Sequence, residues 1–216
     1  MEQKIFVAGF GGQGVVVAGN ILAHAALEEG KHILGMVSYG VEVRGGASHS
    51  FVIISDEEID CPIINEATLG FVLSQEAYEK FKTTTRKDGV LFVDSSLVHN
   101  VDRKNTTGQV IEIPATQLAK DMGNEKVTNM IMLGAAIEKT GIVQMRHAVK
   151  VLGKVFKGLR KDLIYVNEKA LWAGAELMKQ KLLEEDKAPS SLESLRKTFA
   201  EIIARILPRK YKTPSE

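Results

Sequence analysis

The stretch Ile5-Phe6-Val7-Ala8-Gly9-Phe10-Gly11-Gly12-Gln13-Gly14 constrains this chain more than any other part of it. A short apolar run breaks into glycines, and behind them Val15 to Leu27 repeats apolar residues at helical spacing, so the pattern reads strand, tight turn, helix. Such a turn suits something negative. The first unpaired amides of the helix point into it, the helix dipole adds partial positive charge, and glycines let a phosphate approach the backbone without meeting a β-carbon. Gly9, Gly11 and Gly14 fit the G-x-G-x-x-G dinucleotide spacing. The same glycines would equally serve a helix that packs close to its sheet and binds nothing.

A nicotinamide-binding unit adds Asp or Glu about 20 residues beyond the turn, at the end of the second strand, to hold the ribose hydroxyls. Here that strand, His32-Ile33-Leu34-Gly35-Met36-Val37, runs into Ser38-Tyr39-Gly40 without a carboxylate. Glu28 and Glu29 come too early, before the Gly30 that ends the helix, and Glu42 comes late, so an ordinary NAD site is disfavoured. The loop Ser38-Tyr39-Gly40-Val41-Glu42-Val43-Arg44-Gly45-Gly46 sets aromatic, acidic and basic groups between glycines.

Beyond it, Ser48 to Ser55 becomes continuously apolar at Phe51-Val52-Ile53-Ile54, a buried strand that arrives without an intervening helix and makes the sheet mixed. The pattern then predicts strands at Thr68–Ser74, Gly89–Asp94 and Gln109–Ile113, with a short helix from Gln75 to about Lys82. Asp94-Ser95-Ser96 sits at a strand's carboxyl end, which is either the ligand edge of an open α/β sheet or a helix cap. From Pro114 the chain turns helical, over 115–122, 127–139, 144–156 and about 167–183. A last amphipathic helix, opened by Ser190-x-x-Glu193 and carrying Leu192, Leu195, Phe199, Ile202, Ile203 and Ile206 on one face, stops at Pro208.

With 216 residues, 44% of them hydrophobic, the chain can build one sizeable core with appendages. The net charge of +1 supplies no global field for nucleic acid or an anionic membrane, and no apolar run approaches the ~20 residues that span a bilayer. The single cysteine, Cys61, excludes an internal disulfide and cannot alone hold an iron–sulfur cluster, which takes about four cysteine ligands. A cytoplasmic setting fits. The histidines, His24, His32, His49, His99 and His147, are scattered, so no metal site is read. Ser48-His49-Ser50 lacks the G-x-S-x-G elbow of a hydrolase, and Val15 stands where a P-loop would have lysine. No catalytic set emerges beside the glycine turn.

Gly9-Phe10-Gly11-Gly12-Gln13-Gly14, followed some two dozen residues later by S-Y-G-x-E-x-R-G-G at 38–46, resembles the gamma subunit, or gamma domain, of 2-oxoacid:ferredoxin oxidoreductases, and most resembles the 2-oxoglutarate and 2-ketoisovalerate members. The likeness continues through Ser55-Asp56-Glu57-Glu58-Ile59 and, more loosely, through Asn129-Met130-x-x-Leu133-Gly134-Ala135 and Asn167-x-x-Ala170-Leu171. It implies a Rossmann-like three-layer α/β fold with a mixed, mainly parallel sheet and a helical C-terminal part. A gamma-type domain would occupy 1–183, and a linker with the amphipathic helix 184–216.

By the same resemblance, the complex decarboxylates a 2-oxoacid on thiamine diphosphate, passes electrons through iron–sulfur clusters to ferredoxin and transfers the acyl group to coenzyme A. This chain would be its non-redox part, with thiamine diphosphate, magnesium and the clusters on alpha, beta and ferredoxin-like delta partners. The implied coenzyme A contacts are Gly11, Gly12, Gln13 and Gly14 at the turn, and Ser38, Tyr39, Glu42 and Arg44 in the neighbouring loop. A stand-alone nucleotide-dependent reductase and a purely structural assembly subunit are the other readings the sequence leaves open, with pyruvate or 2-ketoisovalerate as other substrates.

Overall fold

Strand β1 (Glu2–Phe10) buries side chains on both faces, Ile5 and Val7 on one and Phe6 and Ala8 on the other, each at most 2% exposed. Only a strand covered by other layers on both sides can carry such a run. The computed structural model describes residues 2–38, 47–156 and 161–185, with the isolated helical positions Glu201 and Ala204. Around β1 lies a six-stranded sheet in the order β2-β3-β1-β4-β5-β6, where β2 is His32–Ser38, β3 Ala47–Ser55, β4 Ala67–Val72, β5 Thr85–Asp94 and β6 Gln109–Ile113.

The pairs β1–β4, β4–β5 and β5–β6 are parallel, and β3 runs antiparallel to both β1 and β2. The sheet is therefore mixed and mainly parallel, as expected. One adjacency differs from a simple βαβ unit: β2 is parallel to β1 but separated from it by β3. The continuous apolar run Phe51–Ile54 explains this, because such a run needs cover on both faces and neighbours on both edges, which the inner slot supplies. The outer slot goes to β2, whose His32 and Gly35 are exposed.

Among the described residues five helices cover one face: α1 (Val15–Glu28), α3 (Ala115–Asp121), α4 (Thr128–Thr140), α5 (Met145–Val155) and α6 (Lys161–Glu185). They share a core with Ile5, Val7, Val52, Ile54, Phe71 and Phe92. On the other face α2 (Gln75–Phe81) and the segment around Val98 close over Phe6, Ala8, Leu91 and Val93. The result is the expected three-layer fold. Helix α6 starts six residues earlier than its periodicity predicts. The amphipathic segment expected after Ser190 lies outside the described residues apart from Glu201 and Ala204, both helical and exposed. No described helix is long and apolar enough to cross a membrane.

Two carboxylates that had seemed misplaced for a ribose are structural. Glu29 accepts from the Gln144 amide at 2.5 Å, meets His147 Nδ1 at 3.0 Å and pairs with Lys31 at 3.2 Å, fastening the end of α1 to the start of α5. Desolvation pushes Glu29 upward, but these partners outweigh it and hold its pKa below the ordinary value. Glu28 bridges Lys150 and Lys154, whose hydrogen bonds lower it from 4.5 to about 2. A depressed folded-state pKa means the native state binds fewer protons than the unfolded chain. Glu28 therefore contributes stability that is present above about pH 4.5 and is lost as pH falls through about 2. Melting followed by circular dichroism should show Glu28→Gln falling less steeply than the parent across that window, with the two curves converging below it; parallel curves would count against the assignment.

Candidate functional site

The carboxyl ends of the parallel strands β1, β4, β5 and β6 face one edge of the sheet, where open α/β folds bind ligands. The turn Gly11–Gly14 lies there, directly after β1. Three of the four glycines in and beside the turn have an internal reason to be glycine. A Cβ on Gly9 would stand 2.5 Å from Gln13 Oε1 and 3.0 Å from Leu73 Cβ. Gly12 has φ +96° and Gly14 φ +72°, the left-handed region that costs other residues energy, and a Cβ on Gly14 would also collide with the Asn129 amide. Gly11 has neither constraint among the described residues: its φ is not positive and none of them lies within 4 Å of where its Cβ would be.

Gln13 is committed within the chain. Its Oε1 accepts from Phe10 N at 2.7 Å, its Nε2 donates to Leu73 O at 2.8 Å, and its own amide donates to Phe10 O at 3.2 Å, so it stitches the end of β1 to the end of β4. Asn129, in the first turn of α4, donates from Nδ2 to Gly14 O at 3.0 Å and accepts from Met130 N at 3.0 Å. By contrast, the start of α1 has no side-chain cap and no acidic residue in its first turn, and among the described residues no backbone acceptor meets the amides of Gly11, Gly12 or Gly14. Among the described residues these donors and the positive end of the dipole are thus left without a partner.

Register brings the two positions that flank residues 39–46 to the same edge. The antiparallel ladder pairs Ala47, where β3 begins, with Phe10, the residue before Gly11, and β2 ends at Ser38 opposite His49. The segment joining Ser38 to Ala47 therefore starts and returns beside the glycine turn. The Ser38 side chain, and the whole of Tyr39, Glu42 and Arg44, lie outside the described residues.

Asp94 resolves to the capping reading. It is fully buried; Oδ1 accepts from Ser96 N at 3.1 Å and Thr116 N at 3.3 Å, and Oδ2 accepts from the Thr116 hydroxyl at 2.6 Å, while Ser96 Oγ accepts from Gln117 N at 3.0 Å. These bonds tie the end of β5 to the first turn of α3. Thr128 Oγ1 spends its proton on Glu125 O at 2.8 Å, so its 3.5 Å approach to Thr116, whose proton goes to Asp94, is a contact rather than a bond. His49 lies between Phe51 and Phe81 at ring-centroid distances of 5.3 and 5.2 Å, with Nδ1 buried and unpaired. Burial and, secondarily, Lys80 hold its pKa down, which keeps the ring neutral at pH 7. Sequence reasoning passed over Asn129; the only signal was its place in the Asn129-Met130-x-x-Leu133-Gly134-Ala135 string.

The chain is an open α/β sheet whose carboxyl edge carries a glycine turn. Residues 4–177 match the family model described as pyruvate ferredoxin/flavodoxin oxidoreductase, and the chain belongs to that family. The 2-oxoglutarate synthase subunit KorC of Methanocaldococcus jannaschii is 38% identical over 180 residues, covering 82% of this chain and 96% of that protein. Among solved structures, the gamma subunit of a keto/oxoacid ferredoxin oxidoreductase from Geobacter sulfurreducens superposes with TM-score 0.71 at 35% identity, over 82% of this chain and 95% of that one. The 2-oxoglutarate:ferredoxin oxidoreductase of Magnetococcus marinus, with 2-oxoglutarate, coenzyme A and succinyl-CoA bound, gives TM-score 0.76 at 26% identity, over 83% of this chain and 31% of that one. Names among the relatives span 2-oxoglutarate, ketoisovalerate and pyruvate enzymes. This chain is accordingly a gamma-type subunit of a multisubunit 2-oxoacid:ferredoxin oxidoreductase, as its sequence motifs led one to expect.

Proposed function

We propose that this subunit supplies the coenzyme A side of the active site, with the glycine turn receiving an anionic group of that cofactor. Gly11 carries the reading: its φ is ordinary and, among the described residues, nothing lies within 4 Å of where its Cβ would be, so no described neighbour accounts for glycine there, and a ligand that approaches the backbone would. The turn fits a phosphate, offering outward amides at an uncapped helix start with no carboxylate in that turn. Gly11, Gly12 and Gly14 would hold it, with Gln13 bracing them. Ser38, Tyr39, Glu42 and Arg44 would close the neighbouring wall, Arg44 gripping a phosphate or carboxylate through two parallel hydrogen bonds. When bound, coenzyme A supplies the thiol that accepts the acyl group.

Metal and cluster ligands do not come together among this chain's described residues. Cys61 is single and exposed, and no described group of three or more His, Cys, Asp or Glu converges as metal ligands. Thiamine diphosphate, magnesium and the iron–sulfur clusters belong in this reading to alpha, beta and delta partners, with ferredoxin as acceptor and the cytoplasm as compartment. The substrate is 2-oxoglutarate, a choice supported by the KorC match and by the loop at 38–46. The expected linker and docking helix of 184–216 lie outside the described residues, apart from Glu184 and Glu185 at the end of α6 and the isolated positions Glu201 and Ala204.

The test is Gly11→Val in the complex assembled with its own partners. No described residue lies within 4 Å of the new Cβ, so melting should stay within about 1 °C of the parent, because a glycine with ordinary φ tolerates a Cβ. The KM for coenzyme A should rise about tenfold, which corresponds to ~1.4 kcal/mol of lost binding. An unchanged KM with reduced assembly would favour a purely structural subunit.

A further inference from the structure

Resting on the reading of the turn as the coenzyme A contact, we infer that Asn129 and Gln13 are positioning residues that aim two specific amides, those of Val15 and Gly11, at the ligand. In a trans peptide the carbonyl and the following N–H point in opposite directions, so holding one fixes the other. Gly14 O is held on the protein side by Ala18 N and by Asn129 Nδ2, each at 3.0 Å, which turns the Val15 N–H the other way. Phe10 O is held by Gln13 N at 3.2 Å, which turns the Gly11 N–H outward in the same manner. The two anchors bracket the turn, one at each end.

Gly14 is a residue whose peptide could otherwise rotate, since glycine pays little for exchanging conformations. Asn129 restrains it from a rigid base. Its side chain is only 4% exposed, its Oδ1 is fixed by Met130 N, and α4 is clamped to α6 where Gly134 and Gly174 bring the helix backbones into contact. A residue 115 positions away in sequence thereby sets the direction of the first amide of α1. Its action is through Gly14; Asn129 itself need not touch the ligand.

The experiment is Asn129→Asp in the assembled complex, with coenzyme A as the varied substrate. The replacement keeps the shape and the acceptor toward Met130 but loses the donor, and sets a carboxylate oxygen against the Gly14 carbonyl. Asn129→Ser, too short to reach Gly14 O, is the second variant should the first fail to assemble. The expected result is a KM for coenzyme A raised about tenfold, with kcat at saturating coenzyme A within twofold and the KM for the 2-oxoacid unchanged. An unchanged KM for coenzyme A in an assembled variant overturns the inference. The two readings separate by comparison with Gly11→Val: if that variant raises the KM and the Asn129 variants do not, the positioning role falls and the turn assignment stands. If none of them raises it, the turn assignment falls and takes the positioning role with it.

Discussion

Replacing Gly174 by leucine is expected to lower the melting temperature by roughly 6–12 °C. A Cβ at Gly174 would collide with the carbonyl of Ile131 and come within 3.0 Å of Ala135 N, and one at Gly134 would collide with the carbonyl of Leu171. The obstacle in each case is the backbone of the facing helix, which has no rotamer to change. Helices α4 and α6 would have to separate, opening voids among Met130, Leu133, Ala170, Leu177 and Met178, all buried. The cost should sit at the top of the overpacking range, about 3 kcal/mol. Gly153→Ala in the last turn of α5 is the control: no described residue lies within 4 Å of that Cβ, so removing a helical glycine should stabilise by up to ~1 kcal/mol. Both are read by thermal melting, and a Gly174→Leu protein that melts with the parent would refute the close helix crossing.

Asp94→Ala should be nearly as costly, about 3 kcal/mol, because it strands three donors: the amides of Ser96 and Thr116 and the Thr116 hydroxyl. Thr116 is only 6% exposed, so water does not replace the lost acceptor freely. Asp94→Asn keeps one acceptor oxygen and should recover part of the loss. The role is structural, so activity per assembled complex should survive in whatever fraction folds. A variant that melted normally but lost turnover would return Asp94 to the ligand edge as a reacting group.

The glycine turn was legible because its determinants are local. Gly9, Gly12 and Gly14 are fixed by positive φ or by near neighbours, and a strand–turn–helix can be read from apolar periodicity. Asp94 was ambiguous because a carboxylate at a strand end looks the same whether it awaits a ligand or caps a helix; the deciding partner, Thr116, is 22 residues away. The insertion of β3 between β1 and β2 was hidden for a similar reason, since strand order depends on pairing rather than succession. The first turns of α6, Lys161 to Val166, were missed because Leu-Ile-Tyr-Val favours strands locally and only packing overrides it. The charged opening of β5, Thr85 to Asp88, was missed because its Arg86–Asp88 pair is solvent-facing and carries no apolar signal. Asn129 could not have been found without the fold, which alone brings it to Gly14.

Hydrogen exchange on the complex, purified anaerobically from its own host with its co-purifying chains identified by mass, tests the central claim most directly. Adding coenzyme A should slow exchange at the amides of residues 11–17, the turn and the first turn of α1, while 2-oxoacid alone leaves them unchanged. Protection by coenzyme A that appeared only on partner chains, with residues 11–17 exchanging at the same rate throughout, would contradict the account and leave this chain a structural member of the assembly.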